Sequence, residues 1–383
     1  MAQRSIKIEI HCFRYPLPVA MQTVFGPVQS RPALILRIED AEGAEGWGEI
    51  WCNFPQPGAE YRARLAEAVI PGVMAGLDLG DVATAFTTLR RRLHRLSLQA
   101  GVRGPADQIA SGLDIALHDL AARRAGVPLA TLLGGGPRRL RPYASGIDAR
   151  LGEEMVAAAR ASGYRAFKLR VGFGGLDPAE AVAKVAAGLQ DGELLMVDAN
   201  QAWDRETAVD AVQGLAGQPL RWIEEPLPVD ADADSWAAVA AAAAAPLAGG
   251  ENMRSDTEFD AAIAGDVFGV IQPDICKWGG LSLCAPIARA VIASGKTYCP
   301  HYLGGGVGLA ASAHLLAAVG GDGVLEVDVN DNQLRDVLAG PLLPLQGEEA
   351  VVPDAPGLGY RPDVDAIKDL RVQHSVVTAM VSG

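Results

Sequence analysis

Apolar and polar positions alternate along IKIEI (6–10) and ALILRIED (33–40), the period-two signature of strands, and a polar turn, AEGAEG, leads into a third such run, WGEIW (47–51). Helical spacing follows over 60–76 and 82–95, and again over 106–125, stopping at Gly126. Strands followed by helices predict an α+β unit over 1–135. The rhythm then changes. Short apolar runs (RPYASGI, AFKLRVG, LLMVDAN, RWIEEP, PLAGGE, VFGVIQPD, KTYCPH and VLEVD) alternate with Ala-rich helical stretches such as 153–162, 178–189, 205–215 and 308–319. Eight β units with intervening helices predict an α/β fold, a (β/α)8 TIM-like barrel rather than an open sheet, over 136–332. The Pro- and Gly-containing tail, 333–383, is expected to be loop-rich and to pack back on the N-terminal unit. No low-complexity linker separates the parts, which predicts a shared interface.

The composition narrows the function classes. With 33 Lys and Arg against 46 Asp and Glu, the formal charge is −13, which argues against a nucleic-acid partner. An apolar content of 49% excludes intrinsic disorder. Cys12, Cys52, Cys276, Cys284 and Cys299 are scattered and form no CxxC, so reduced thiols in a cytoplasm are expected rather than a disulfide framework or zinc ribbon. The N-terminus lacks the unbroken apolar core of a signal peptide. The most apolar stretch, Trp236 to Pro246, is too short to span a bilayer, so no membrane partner is expected.

Six barrel-strand candidates end in an ionisable residue: Asp198, Glu224, Glu251, Asp274, His301 and Glu326, each about one βα unit from the last. In a closed barrel that phase puts them around one mouth, where catalytic residues sit. Asp198, Glu224 and Glu251 come from three successive strands. Three carboxylates in one place repel unless a cation neutralises them, and oxygen-only ligands favour Mg²⁺ or Mn²⁺. The plainer alternative is that each caps the following helix, a role that suits Asp204 or Asp256 better. Lys168 and Arg170 alternate onto one face of the second barrel strand, either at the mouth beside the carboxylates or as solvated surface cations.

Taken together, Lys168-x-Arg170, MVDAN (196–200), WIEEP (222–226), GGEN (249–252), QPD followed by GG (272–280), PH (300–301) and LE (325–326) resemble the enolase superfamily, in particular its mandelate racemase-like branch. The likeness runs from about residue 100 to 332, and WGE (47–49) resembles that family's N-terminal capping domain. The resemblance implies a barrel with a capping domain, and Mg²⁺ on Asp198, Glu224 and Glu251. It also implies abstraction of a proton α to a carboxylate, through an enediolate stabilised by the metal. Lys168 would neutralise the substrate carboxylate, Glu326 would hydrogen-bond it while protonated, and His301, oriented by Asp274, would be the base. Related proteins assemble as homo-oligomers, which the resemblance extends to this chain.

The departure is Arg170. The racemase-like pattern has Lys there, as the base on the opposite face, and Arg does not deprotonate in proteins. One-base chemistry remains: dehydration of an aldonate or aldarate to a 2-keto-3-deoxy acid. Racemisation, epimerisation or cycloisomerisation of a carboxylate on the same site is the alternative. Arg170 and Asn200 would bind substrate. Specificity is expected from the Pro18 to Arg31 loop and the Trp51 to Pro55 loop, with Val24, Phe25, Asn53 and Phe54 as candidates, although these residues equally suit a domain interface. His118 and His314 fall within helices and are taken as structural.

Two rivals stand against this picture. Gly306-Val307-Gly308-Leu309-Ala310-Ala311 fits the G-x-G-x-x-A dinucleotide fingerprint, which would make the protein an NAD-dependent oxidoreductase. A barrel whose site has decayed into a scaffold is the other. The partner expected on balance is a small carboxylate substrate. The net charge opposes such an anion, so attraction must be local.

Overall fold

The computed structural model describes residues 3–23, 26–172 and 174–382. Strands β1 (Gln3–Thr23), β2 (Gly26–Glu39) and β3 (Glu45–Ile50) form an antiparallel meander in which Thr23 pairs with Gly26. The segment expected as a loop from Pro18 to Arg31 is therefore largely the end of a long hairpin, whose backbone groups pair with each other instead of with water. Helices α1 (Gly58–Met74), α2 (Val82–Ala100) and α3 (Arg103–Ala125) cover one face of this sheet. The α3 contact is close. A Cβ on Gly46 or Gly48 would fall 2.1 Å from the Ala116 or Gly112 carbonyl oxygen, so only glycine lets the helix backbone down onto β3.

Eight parallel strands then alternate with helices: β4 (Pro142–Asp148), β5 (Ala166–Arg170), β6 (Leu194–Asp198), β7 (Leu220–Glu224), β8 (Leu247–Gly249), β9 (Phe268–Ile271), β10 (Thr297–Tyr298) and β11 (Leu325–Asp328). Their order is β10-β9-β8-β7-β6-β5-β4-β11, the curled sheet of a TIM-like barrel. At the seam between β10 and β11 the Val324 N–H points to Cys299 Sγ at 3.5 Å. Strand β12 (Arg371–Ser382) returns to pair antiparallel with β1, giving the capping sheet the order β12-β1-β2-β3. The tail is thus not merely loop; it supplies a twelve-residue edge strand. All five cysteines are free and buried. Among the described residues no helix is long and apolar enough to cross a membrane.

Inside the barrel one residue per strand forms an apolar layer: Tyr143, Ala166, Met196, Trp222, Ala248, Val270, Cys299 and Val324. Strand alternation sends the residue two further along to the same interior, one layer higher. Those positions are Ser145, Lys168, Asp198, Glu224, Gly250, Gln272, His301 and Glu326. The packed floor and the polar mouth are thus two levels of one pattern.

Candidate active site

The polar layer opens into a cavity of about 440 Å³, a volume suited to a small molecule. Arg170, Asp198, Asn200, Glu251, Lys277, His301 and Glu326 line it from the barrel. Met21, Arg31, Trp51 and Phe54 line it from the capping domain.

Two of the three expected metal ligands sit in strand phase, and the third does not. Glu251 follows Gly250, whose φ of 137° turns the chain at the strand end; a Cβ there would lie 2.7 Å from the Gln272 nitrogen. The turn brings Glu251 into the mouth one position out of register. Each ligand is held from behind. Asn200 donates from its backbone N and its Nδ2 to the two Asp198 oxygens, at 2.8 Å each. Trp222 Nε1 (3.0 Å) and Gln272 Nε2 (2.9 Å) donate to Glu224 Oε2. Asn252 Nδ2 donates to Glu251 Oε1 at 2.8 Å and to both oxygens of Glu225, a buried residue with φ of 39°. None of the three caps a helix. Asp204 does, but at the helix starting with Asp256 the cap is Ser255, one residue earlier than expected.

Lys168 reaches into this ring with Nζ 2.8 Å from Glu224 and from Glu326, and 3.6 Å from Asp198. Burial works against its charge, yet Glu224 and Glu326 outweigh that and raise its pKa well above the ordinary lysine value. The Lys168 ammonium, expected to meet the substrate carboxylate, has the carboxylates of Glu224 and Glu326 as its nearest anions. Glu326 shares that ammonium. Burial alone would raise the Glu326 pKa, but Lys168 and His301 hold it below the usual carboxylate value, and Glu326 accepts Ser145 Oγ at 2.5 Å and the Tyr302 N–H at 3.1 Å.

His301 has Nδ1 2.8 Å from Asp274 Oδ2, and Asp274 Oδ1 accepts the Cys276 N–H at 2.8 Å. That anchors the ring with Nε2 facing the cavity, 2.5 Å from Glu251 Oε2. Burial lowers the imidazole pKa, but Glu251 and Glu326 overcome it and hold it well above the ordinary value. Arg170 lies on β5, three strands away around the barrel from His301, and is buried.

The donor set fits a hard divalent cation. Asp198, Glu224 and Glu251 offer only oxygen, and burial together with repulsion from Glu224 pushes the Asp198 pKa upward, an excess of negative charge that a cation relieves.

Other expectations fare unevenly. Asn53 is corrected: it does not line the cavity, and its Nδ2 donates to the Leu303 carbonyl at 2.5 Å, tying the capping domain to the barrel. Val24 and Phe25 lie outside the described residues. The dinucleotide reading of the Gly306 segment is also corrected. The N-terminus of that helix already receives Glu49, which accepts the Gly305 and Gly308 N–H groups at 2.5 and 2.9 Å. Its glycines serve packing, since a Cβ on Gly306 would fall 1.9 Å from the Ala339 nitrogen. The sequence reading missed Lys277, whose Nζ donates to Asn252 Oδ1 at 2.8 Å above the Trp51 ring. It also missed the buried Arg31–Asp328 ion pair, which joins β2 to β11. Ser145 was open to detection, two residues past Tyr143; Lys277 lies in a turn after Asp274 and carries no strand phase.

A capped eight-stranded barrel with convergent carboxylates and a carboxylate-held histidine at its mouth defines a class of enzymes. Residues 5–134 match the family model described as mandelate racemase/muconate lactonizing enzyme, N-terminal domain, and residues 150–366 match the one described as enolase C-terminal domain-like. The chain belongs to this enzyme family, the mandelate racemase and muconate lactonizing enzymes of the enolase superfamily. It is 30% identical over 382 residues to D-galactarolactone cycloisomerase of Agrobacterium fabrum, covering 95% of this chain and 98% of that protein. A crystal structure described as mandelate racemase/muconate lactonizing enzyme from Bordetella bronchiseptica is 47% identical with a TM-score of 0.89, covering 96% of this chain and all of that one. L-talarate/galactarate dehydratase from Salmonella typhimurium, liganded with Mg and L-lyxarohydroxamate, is 26% identical with a TM-score of 0.81, covering 98% and 95%.

Proposed function

We propose that this protein dehydrates an aldonic or aldaric acid sugar to a 2-keto-3-deoxy acid, with Mg²⁺ on Asp198, Glu224 and Glu251. One observation carries the reading: a carboxylate-oriented imidazole, His301, lines the same cavity as Arg170, a cation that does not serve as a second base. Asp198, Glu224 and Glu251 would hold a divalent cation, which would supply charge stabilisation for the substrate carboxylate as its α-proton leaves and would offset the carboxylate charge that otherwise favours the His301 imidazolium. Neutral His301 Nε2 takes that proton, and Asp274 keeps the tautomer correct and stabilises the imidazolium formed. The electron pair left on Cα then expels the β-hydroxyl, which departs as water with the proton from His301, and the enol product tautomerises to the 2-keto acid. Arg170 binds a carboxylate or hydroxyl of the sugar.

The likeness to D-galactarolactone cycloisomerase favours a second reading. The α-proton removal is the same, but an oxygen tethered to the same molecule leaves in place of hydroxide, so no water is released. A screen of acid sugars and their lactones for 2-keto products separates these outcomes. Turnover of no acid sugar, together with racemisation of a 2-hydroxy acid, overturns the dehydratase.

A further inference from the structure

The barrel mouth has two chemically different sides. Asp198, Glu224 and Glu251 stand at the ends of β6, β7 and β8, and a second wall stands over β11, β4 and β5. Arg31, Ser145, Gly146, Arg170, Asp328 and Asn330 line the cavity on that second side. Arg31 comes from β2 of the capping domain, and its side chain is only 4% exposed. Among the described residues Asp328 is its one ion-pair partner, and its Nη2 has no hydrogen-bond partner of good geometry.

We propose that Arg31 and Arg170 form a subsite for a second carboxylate, so that the substrate is a diacid sugar, an aldarate, rather than an aldonate. The assignment rests on the acid-sugar reading above. Three points support it. The first is that Arg31 is held by a fixed group. Asp328 Oδ1 accepts the Asn330 N–H at 3.2 Å and Asn330 Nδ2 at 2.6 Å, and Arg335 donates to the Asp328 and Asn330 carbonyls. A carboxylate engages at most two of the five guanidinium N–H donors, which leaves a donor edge for a ligand. The second is Gly146, with φ of 78°: a Cβ there would fall 2.5 Å from Asp328 Oδ1, so glycine keeps this wall open. The third is like charge. Burial, then repulsion from Arg335 and Arg170, lowers the Arg31 pKa to about 9, so Arg31 stays cationic at neutral pH and an anion beside it would offset that repulsion.

The two sides then suit the two ends of one molecule. The reacting carboxylate would lie toward Asp198, Glu224 and Glu251, and the distal end toward Arg31 and Arg170. An aldonate ends in a neutral hydroxymethyl group, which takes water from two buried guanidiniums and returns hydrogen bonds but no charge. An aldarate ends in a carboxylate whose two oxygens match a guanidinium fork. Asp328 alone would repel that group, but two guanidiniums outnumber it. Because Arg31 belongs to the capping domain and Arg170 to the barrel, the distal carboxylate would also bridge the two domains.

The test is calorimetry on the full chain in excess Mg²⁺, with His301→Asn to stop turnover and with hexaric and hexonic acids of matched configuration as probes. At least one hexarate should bind about thirtyfold or more tighter than its hexonate. R31M/D328N removes the ion pair without stranding a buried charge, and should cut that preference by about tenfold or more. If that variant does not fold, R31K, which keeps the charge but loses the fork, should still reduce the preference severalfold. Hexonates bound as tightly as hexarates, binding of neither class, or a preference unchanged by these substitutions overturns the subsite. Formation of 2-keto acid by the wild-type chain is scored separately. A hexarate preference without that product keeps the subsite and overturns the dehydratase, whereas turnover of hexonates alone does the reverse.

Discussion

Glu49, at the end of the third strand of the capping sheet, accepts the backbone N–H of Gly308 at 2.9 Å, in the first turn of a helix that belongs to the barrel. The same carboxylate accepts Gly305 N–H, and it is buried. One side chain from the capping domain thus fills the N-terminus of a barrel helix directly after the segment that carries His301. Placing a carboxylate there uses the helix dipole and satisfies donors that would otherwise be orphaned.

Glu49→Ala leaves two buried N–H groups unpaired and should cost about 3 kcal/mol of stability. Glu49→Gln keeps an acceptor and should cost less. Chemical denaturation of both variants checks the order; equal stability of Glu49→Ala and wild type would show that the carboxylate does not hold the domains together.

His301→Asn should lower kcat by about 10²–10⁴-fold while Mg²⁺ still binds. Exchange of the substrate α-proton in D₂O should vanish with it. Asp274→Asn should reduce kcat as well, by offering an amide N–H to Nδ1 and so favouring the wrong tautomer. Normal α-proton exchange in His301→Asn would transfer the role of base to another group.

With one base, deuterium should enter the α position of substrate without inversion. Arg170→Ala should raise KM more than it lowers kcat, by about tenfold or more, because a binding cation is lost rather than a proton carrier. Proton NMR of recovered substrate follows both effects. Inverted, deuterated substrate would mean that a second base exists, and Lys277, at the cavity wall, would be the first to examine.

His314 gives the fold an acid-sensitive element. It is fully buried between the Ala130 N–H and the Leu358 carbonyl, and burial lowers its pKa to about 4 from 6.5. A histidine depressed in the folded state is neutral there while the unfolded chain takes up a proton. Stability is therefore complete above pH 6.5 and declines as pH falls from 6.5 toward 4. Between pH 7 and pH 5 the loss should be roughly 2 kcal/mol. Urea midpoints at the two pH values measure it, and His314→Gln should remove most of the difference; an unaltered pH dependence in that variant would exclude His314 as the source.

The sequence by itself determined the eight strands and which of their residues point inward, because the period of two is local. Asp198, Glu224, His301 and Glu326 each lie two residues past an apolar interior position, so their convergence was legible once a barrel was assumed. The edge strand from 371 to 382 was not. Its inward residues Ala379 and Val381 are apolar, but so are the exposed Val372, Val376 and Met380, and the alternation that marks a strand is blurred. Tertiary structure alone decided the rest. Glu251 reaches the mouth only through the turn at Gly250, Lys277 arrives from a turn, and the Arg31–Asp328 pair joins residues nearly three hundred positions apart. It also decided which charges meet. Lys168 lies 2.8 Å from Glu326 in a buried layer, and how such a pair titrates depends on neighbours that no local pattern names.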